Sequence, residues 1–144
     1  MSARDNEFFL EIVSPQGIIF QGEAEKVSIP TFSGIITVLP HHSPIFTKLD
    51  EGEVDIVMQG KTTTIVIAGG FLEVKGGSVH ILSDYAIRAE SIELAKVEEK
   101  KRQAEEKLKE KLSNEDFTMV DKDLKLSILE LKVAQKMRRR QRTS

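Results

Sequence analysis

Residues 67–82 read IAGGFLEVKGGSVHIL and place two glycine pairs within nine positions. The apolar runs 71–74 and 78–82 flank the pair Gly76-Gly77. A two-residue Gly-Gly connection is typical of a tight hairpin because both positions can take positive φ. The pair Gly69-Gly70 lies between two strands without other turn residues, which indicates a bulge or the close approach of another backbone. A phosphate-binding loop would need a helix to follow, and the pattern shows none.

The strand pattern extends over the rest of the first 86 residues. Turn residues such as Ser14-Pro15-Gln16-Gly17 separate short apolar or alternating runs. The further runs lie at 8–13, 18–20, 24–29, 53–58 and 62–68. Many short strands with regular turns predict a β-sandwich or flattened barrel of about eight to ten strands.

The composition of the chain changes near residue 87. All nine glycines and all four prolines lie before residue 78, and the remainder is rich in helix-forming residues. Residues 1–87 carry a net charge of −6, from five basic and eleven acidic side chains, whereas the rest carries +4, from sixteen and twelve. We therefore predict an α+β fold, with a β-sandwich domain over 1–86 and a C-terminal α-helical hairpin over 87–144.

Capping residues suggest where the two helices begin. Ser91 can cap a first helix that runs to about Leu112, residues 113–116 read as a turn, and Asp121 can cap a second helix to about Arg138.

The second helix carries more apolar surface than the first can cover. The apolar stripe of the first helix is thin, whereas the second helix has two rows that together span a wide arc. The rows are Leu124, Ile128 and Leu131, and Leu126, Leu129, Val133 and Met137. We therefore expect the second helix to need another surface, either the sandwich or a partner protein.

Several function classes are disfavoured by composition. The chain contains no run of about 18 apolar residues, so no membrane span is predicted. The first residues, MSARDNEFFLEIV, do not resemble a signal peptide. The chain has no cysteine, which excludes disulfides and thiolate metal sites and fits a reducing compartment.

No catalytic constellation is apparent among the polar residues. Adjacent His41 and His42 on an extended segment point to opposite sides, and a metal site needs three or four ligands. Ser43 beside His42 permits a small-hydrolase hypothesis, but no third partner accompanies the pair. The basic tail KMRRRQR lacks an aromatic platform for nucleic acid. An acidic protein surface is the better partner for it.

Four stretches together carry a family resemblance: EIVSPQGIIFQGEAEKVSIPT, GIITVLPHHSPIFTKL, AGGFLEV and VHILSDYAIRAESI. They resemble the epsilon subunit of F-type ATP synthases, the counterpart of the mitochondrial delta subunit. The resemblance implies a non-catalytic central-stalk subunit that couples rotation of the c ring to the catalytic head through gamma. It also implies C-terminal helices that inhibit ATP hydrolysis. The chain would then be peripheral to the membrane, on the cytoplasmic side of a bacterial inner membrane or the stromal side of a thylakoid.

The resemblance implies three sets of contact residues. The gamma-facing positions are Ser14, Leu39, Pro40, His42, Pro44 and Thr47. The c-ring-facing positions are Thr31, Phe32, Ser33, Gly34 and Ile35. The beta-facing positions are Arg138, Arg139, Arg140 and Arg142. Their contact with the catalytic head, which contains the alpha and beta subunits, would inhibit ATP hydrolysis.

Three positions depart from the family pattern. The family often has Pro-Gly-His where this chain has Pro40-His41-His42, and Glu-Gly-Glu where it has Ser33-Gly34-Ile35, so we expect a more apolar contact with the ring. Some bacterial members bind ATP through Ile-Asp-x-x-Arg-Ala, which corresponds here to Ile92, Glu93 and Lys96. Because lysine lacks the planar donor fork of arginine, these residues predict at most a weak regulatory site for ATP and no other cofactor. The alternative interpretation is a free-standing β-sandwich interaction module with a basic helical tail.

Overall fold

The computed structural model describes residues 5–143 of the chain, with side chains through residue 140. The chain divides into two compact units, one up to Arg88 and one from Ala89 onward. We call them the β unit and the helical unit. The β unit contains ten strands and the helical unit a short 3₁₀ turn and two helices, so the predicted α+β architecture is confirmed.

The ten strands of the β unit form two five-stranded sheets. In chain order the strands are β1 Phe8–Ser14, β2 Gly17–Ala24, β3 Lys26–Thr31, β4 Gly34–Val38, β5 Ile45–Lys48, β6 Gly52–Met58, β7 Lys61–Ile67, β8 Phe71–Lys75, β9 Ser78–Leu82 and β10 Ala86–Arg88. The first sheet has the order β2-β1-β9-β8-β5 and the second the order β10-β7-β6-β3-β4. Neighbouring strands are antiparallel, except that β1 and β9 run parallel.

Alternating apolar residues build the core of the β unit. In β1, Phe8, Leu10 and Ile12 are buried while the side chains between them are only half-buried. The predicted alternation of β6 is also present, since Val54 and Ile56 are buried. Burying one such side chain contributes about 1.5–3 kcal/mol. One face of each sheet therefore supplies the core.

Both glycine pairs have the predicted roles. Gly76 and Gly77 take φ of 55° and 81° and connect β8 to β9, which confirms the hairpin. Gly70 has φ of 115°, and a Cβ there would lie 1.9 Å from the carbonyl oxygen of Leu82, so another backbone does approach closely. The Gly70 carbonyl also accepts a hydrogen bond from the Leu49 amide at 2.8 Å. Gly70 thus allows β8 to start close against the chain that follows β9.

The helical unit begins with the 3₁₀ turn Ala89–Ser91, followed by α1 Leu94–Leu108 and α2 Asn114–Thr143. The predicted Ser91 cap is wrong because Ser91 ends the 3₁₀ turn, and Glu93 takes the N-cap position without a side-chain cap. Helix α1 ends at Leu108, four residues before the predicted end.

The second helix begins eight residues earlier than predicted. Ser113 Oγ accepts the amide hydrogen of Asp116 at 3.1 Å, which is the capping geometry that the sequence had suggested for Asp121. Asp121 instead lies inside α2 and pairs with Lys125 at 2.9 Å. The segment predicted as a turn is therefore the first turn of α2, and the helix continues to Thr143 rather than ending near Arg138.

The two helices pack against each other. Helix α1 buries Val97 and Ala104, and each apolar row of α2 has a buried member, Leu131 in one and Val133 in the other. Ile128 remains exposed. No helix in the described part of the chain is long and apolar enough to span a membrane.

Candidate functional site

The β3–β4 hairpin presents an apolar tip. Thr31 Oγ1 donates a hydrogen bond to the Gly34 carbonyl at 2.6 Å and accepts one from the Ser33 amide at 3.3 Å. These bonds fix a two-residue connection in which Thr31 itself is buried. Phe32 and Ile35 are 70% and 76% exposed. Four of the five predicted ring-facing residues therefore lie on the exposed tip, and Thr31 supports it from beneath.

The hairpin tip is tied to the first sheet. The Phe32 amide donates to the Lys48 carbonyl at 3.1 Å, and Thr31 forms a bridge with Leu49. Because these bonds join β3 to the end of β5, the tip is held in place by both sheets of the β unit.

The loop between β4 and β5 contains an unusual backbone conformation. His41 has φ of 65°, a region that costs an ordinary residue about 1 kcal/mol. Its Nε2 donates to the Asp5 carbonyl at 3.0 Å. The neighbouring His42 amide donates to the Leu39 carbonyl at 3.2 Å, which closes a turn. The loop thus adopts the conformation for which the family often uses glycine.

The neighbouring pair of His42 and Ser43 is not arranged for nucleophilic catalysis. His42 Nδ1 donates to the backbone carbonyl of Ser43 at 2.7 Å rather than contacting its hydroxyl. His42 is exposed in a loop, so the contact orients the imidazole without activating the serine.

Five of the six predicted gamma-facing residues lie at two ends of the first sheet. The loop that holds Leu39, Pro40, His42 and Pro44 precedes the start of β5, where Ile45 pairs with Val74. Ser14 lies at the opposite end, beyond the pairing of Val13 with Leu82. Its Oγ bonds to the Gln16 side chain at 2.9 Å and holds the β1–β2 turn. Thr47 lies half-buried on the edge strand β5. The structure therefore spreads this set along one sheet instead of gathering it into one cluster.

The sequence did not predict a row of apolar side chains on the solvent-facing side of the first sheet. Strand register aligns Ile18 with Val13, Val13 with Leu82, and Leu82 with Phe71. Phe46 on β5 stacks on Phe71, with ring centroids 5.8 Å apart and planes at 17°. We call these five residues the outer apolar row. In the sequence, the alternation of β8 places Phe71 on the side opposite to buried Leu72, and this alternation is the signal that could have predicted the row.

A polar row runs beside the outer apolar row. Register aligns Glu73 with His80, His80 with Glu11, and Glu11 with Gln21. Glu11 lies 3.4 Å from His80 Nδ1 and accepts a hydrogen bond from Gln21 Nε2 at 2.9 Å. We call these four residues the polar row. On β5 the two rows change places, since Phe46 pairs with Glu73 and Lys48 pairs with Phe71.

The predicted nucleotide residues lie around the start of α1. Ile92 is buried, and Lys96 Nζ pairs with Glu93 Oε2 at 3.1 Å on the exposed start of α1. Exposed pairs of this kind contribute about 0–1 kcal/mol. A shallow groove in the helical unit lies elsewhere and is lined by Glu98, Lys101, Arg102, Glu105, Leu131 and Gln135. The structure does not bring Ile92, Glu93 and Lys96 into that groove.

The basic residues lie in the last part of α2. Arg138, Arg139 and Arg140 are exposed, whereas the side chain of Arg142 lies outside the described residues. Consecutive helical residues are about 100° apart around the axis, so the positive charge surrounds the helix instead of marking one face. Cations near a helix C-terminus are also favoured by the helix dipole.

Comparisons with known proteins match most of the chain. The family model "ATP synthase, Delta/Epsilon chain, beta-sandwich domain" matches residues 7–89. The ATP synthase epsilon chain of Endomicrobium trichonymphae is 33% identical over 135 residues, which cover 94% of this chain and 98% of the relative. That of Herminiimonas arsenicoxydans is 38% identical over 133 residues, which cover 91% and 95%.

Solved structures show the same architecture. A chain of the Euglena gracilis mitochondrial ATP synthase, solved as an OSCP/F1/c-ring assembly, matches with a TM-score of 0.70 and 25% identity over 93% of this chain and 86% of that one. A chain of the Tetrahymena thermophila mitochondrial ATP synthase central stalk and c ring matches with a TM-score of 0.57 and 11% identity, covering 93% and 99%. At 11% identity the second match shows the fold alone.

Proposed function

Because the chain belongs to the delta/epsilon chain family of ATP synthases, we propose that it is a non-catalytic central-stalk subunit of a proton-translocating F-type enzyme. The observation that carries this proposal is the near full-length match to epsilon chains, together with the family's β-sandwich over residues 7–89. In this role the chain transmits rotation of the c ring to the catalytic head through gamma. It is peripheral to the membrane, on the side that faces the catalytic head.

The hairpin tip is the proposed contact with the c ring. Phe32 and Ile35 are exposed, while Thr31 and the bond to the Lys48 carbonyl hold the tip rigid. A rigid apolar contact loses little conformational entropy on binding. Because the described tip carries no charged side chain, we expect its binding to the ring to depend little on salt.

The gamma contact is proposed along the first sheet. The loop with Leu39, Pro40, His42 and Pro44 supplies one end of the contact, and the turn at Ser14 supplies the other. Thr47 lies on the edge strand between them. Contact at both ends would resist rotation of the β unit against gamma, which a coupling element requires.

Helix α2 is the proposed inhibitory element. Its basic end, with Arg138, Arg139, Arg140 and Arg142, would attract an acidic segment of the beta subunit. The family resemblance also suggests weak ATP binding through Ile92, Glu93 and Lys96. Because Lys96 lacks the planar donor fork of arginine, we expect little heat in calorimetry with micromolar ATP. Saturable heat at that concentration would contradict this expectation.

Co-purification tests the proposed function. The tagged full-length chain, expressed in its own cells, should retain alpha, beta and gamma chains and leave the membrane only when the head is stripped from it. A chain that purifies alone under gentle extraction would favour a free-standing interaction module. A Ser43→Ala variant should assemble normally, since no chemistry depends on that hydroxyl.

A further inference from the structure

We propose that the free edge of strand β4 is a docking surface for a second copy of this chain, which pairs with it strand to strand. β4 is the last strand of the second sheet, and within the described residues it pairs with β3 alone. We call the free backbone side of Gly34–Val38 the β4 edge. The inference goes beyond the proposed function, because it concerns the chain while it is outside the stalk.

The hydrogen bonds of β3 show which backbone groups of β4 point outwards. Pro30 pairs with Ile35 across the hairpin. Proline has no amide hydrogen, and the Pro30 carbonyl accepts a hydrogen bond from the Asp50 amide at 3.0 Å. Asp50 precedes β6, which lies on the other side of β3, so Pro30 and Ile35 form a pair without mutual hydrogen bonds.

The alternation of antiparallel pairs extends this result along β4. Ser28 and Thr37, two positions further on, are also a pair without mutual hydrogen bonds, and only their side chains meet, with the two hydroxyl oxygens 3.2 Å apart. The N–H and C=O groups of Ile35 and Thr37 therefore point to the β4 edge. Both residues are exposed.

The outward groups are complementary to those of a second copy. An antiparallel pair of β4 edges centred on Ile36 places Ile35 opposite Thr37 of the second copy, and Thr37 opposite its Ile35. Each of these pairs exchanges both backbone hydrogen bonds, because all four residues have outward N–H and C=O groups. The second sheets of the two copies would then continue as one sheet across a two-fold axis.

Exposed apolar residues at the two ends of β4 fit the same arrangement. The register places Phe32 level with Pro40 of the second copy and beside its Leu39. Phe32 and Leu39 are 70% and 53% exposed. Because the two-fold axis repeats the contact, both ends of the paired strands would gain apolar burial.

The absence of charge on this edge favours a second copy. Residues 31–40 contain no charged side chain. Natural proteins commonly protect edge strands with charged residues or by keeping them short. The other three edge strands follow this rule, since β2 carries Glu23, β5 has four residues and ends in Lys48, and β10 has three and ends in Arg88. Two uncharged β4 edges would meet without repulsion.

Pairing through the β4 edge would compete with the proposed contact to the c ring. Phe32 and Ile35 belong to the hairpin tip, and the second copy would cover part of it. The free chain would protect its open edge by self-pairing, and assembly into the stalk would separate the copies. Because the paired strands are short, the contact is small, and we expect a dissociation constant of about 1 μM to 1 mM.

Analytical ultracentrifugation of the full-length chain over this concentration range tests the proposal. The wild-type chain should change from monomer to dimer. Ile35→Lys brings like charges together across the pair, and Thr37→Pro removes an outward amide that β3 does not use, so each should weaken association about tenfold or more. Ile18→Lys is the matched control, since it puts the same charge on an exposed residue of the edge strand β2. It should change association less than about twofold.

A cross-link tests the register. The chain has no cysteine, so a single engineered one reports on the pairing. The two-fold axis places Ile36 opposite itself at a Cα separation of about 4.5 Å, which a disulfide can bridge. Oxidised Ile36→Cys should become a covalent dimer, whereas Ile18→Cys on β2 should remain a monomer.

Three results would overturn the proposal. The first is a wild-type chain that stays monomeric up to about 1 mM. The second is association that is unchanged in the folded variants Ile35→Lys and Thr37→Pro, with folding checked by the melting temperature. The third is a monomeric wild-type chain whose binding to the complex of alpha, beta and gamma is lost in Thr37→Pro, because the β4 edge would then serve a strand of another protein. If Thr37→Pro does not fold, Ile35→Lys and the cross-link decide.

Discussion

The β unit and the helical unit use apolar residues in different ways. The β unit closes a core between two sheets and still keeps apolar side chains exposed at the hairpin tip and in the outer apolar row. In the helical unit α1 buries only Val97 and Ala104, while α2 leaves Ile128 exposed. The β unit thus keeps apolar side chains exposed outside a large core, whereas the helical unit has fewer buried residues.

The largest expected effect is at Gly70. A Gly70→Ala variant would place Cβ against the Leu82 carbonyl in a backbone conformation that alanine disfavours. We expect a loss of at least about 4 kcal/mol in the free energy of unfolding of the β unit. The single tyrosine, Tyr85, allows urea unfolding of this unit to be followed by fluorescence. Gly77→Ala, where no atom lies within 4 Å of the new Cβ, should cost only about 1 kcal/mol.

Core truncations in the two units should differ in size. Ile12→Ala removes a fully buried side chain from between the sheets and should cost about 3 kcal/mol. Val97→Ala in α1 removes fewer atoms and should cost about 1.5 kcal/mol. Urea unfolding followed by circular dichroism gives both values. Equal losses would contradict the view that the helical unit depends on a smaller core.

A smaller effect is expected at the start of α2. Ser113→Ala removes the cap of the Asp116 amide and should cost about 1 kcal/mol, with faster hydrogen exchange in the first turn. Asp121→Ala removes only an exposed pair with Lys125 and should cost a few tenths of a kcal/mol, about 0.3. The opposite ranking would restore Asp121 as the cap.

Local signals predicted much of the β unit. The Gly76-Gly77 hairpin and the close approach at Gly70 followed from glycine chemistry, because few other residues tolerate those backbone angles. Strands β4, β5 and β10 were not identified individually. β5 has four residues beside a loop with two prolines, and β10 has three residues, so neither shows a clear period.

Capping and register limited the remaining predictions. Ser113 and Asp116 carry a capping signal, yet the same polar run also resembles a turn, and only the hydrogen bond distinguishes the two. Alternation can place Phe71 and Leu82 on an outward side, but it cannot show that Val13 and Ile18 continue their row. That continuity depends on pairing between strands far apart in the chain, so the outer apolar row required the structure.

The most direct test compares the full-length chain with a chain that ends at Leu112, each bound to the complex of alpha, beta and gamma. Affinity and the rate of ATP hydrolysis are measured on the same samples. If the β unit anchors the chain and α2 inhibits, the shortened chain should bind nearly as tightly while hydrolysis rises several-fold. Loss of binding with unchanged hydrolysis would contradict the account.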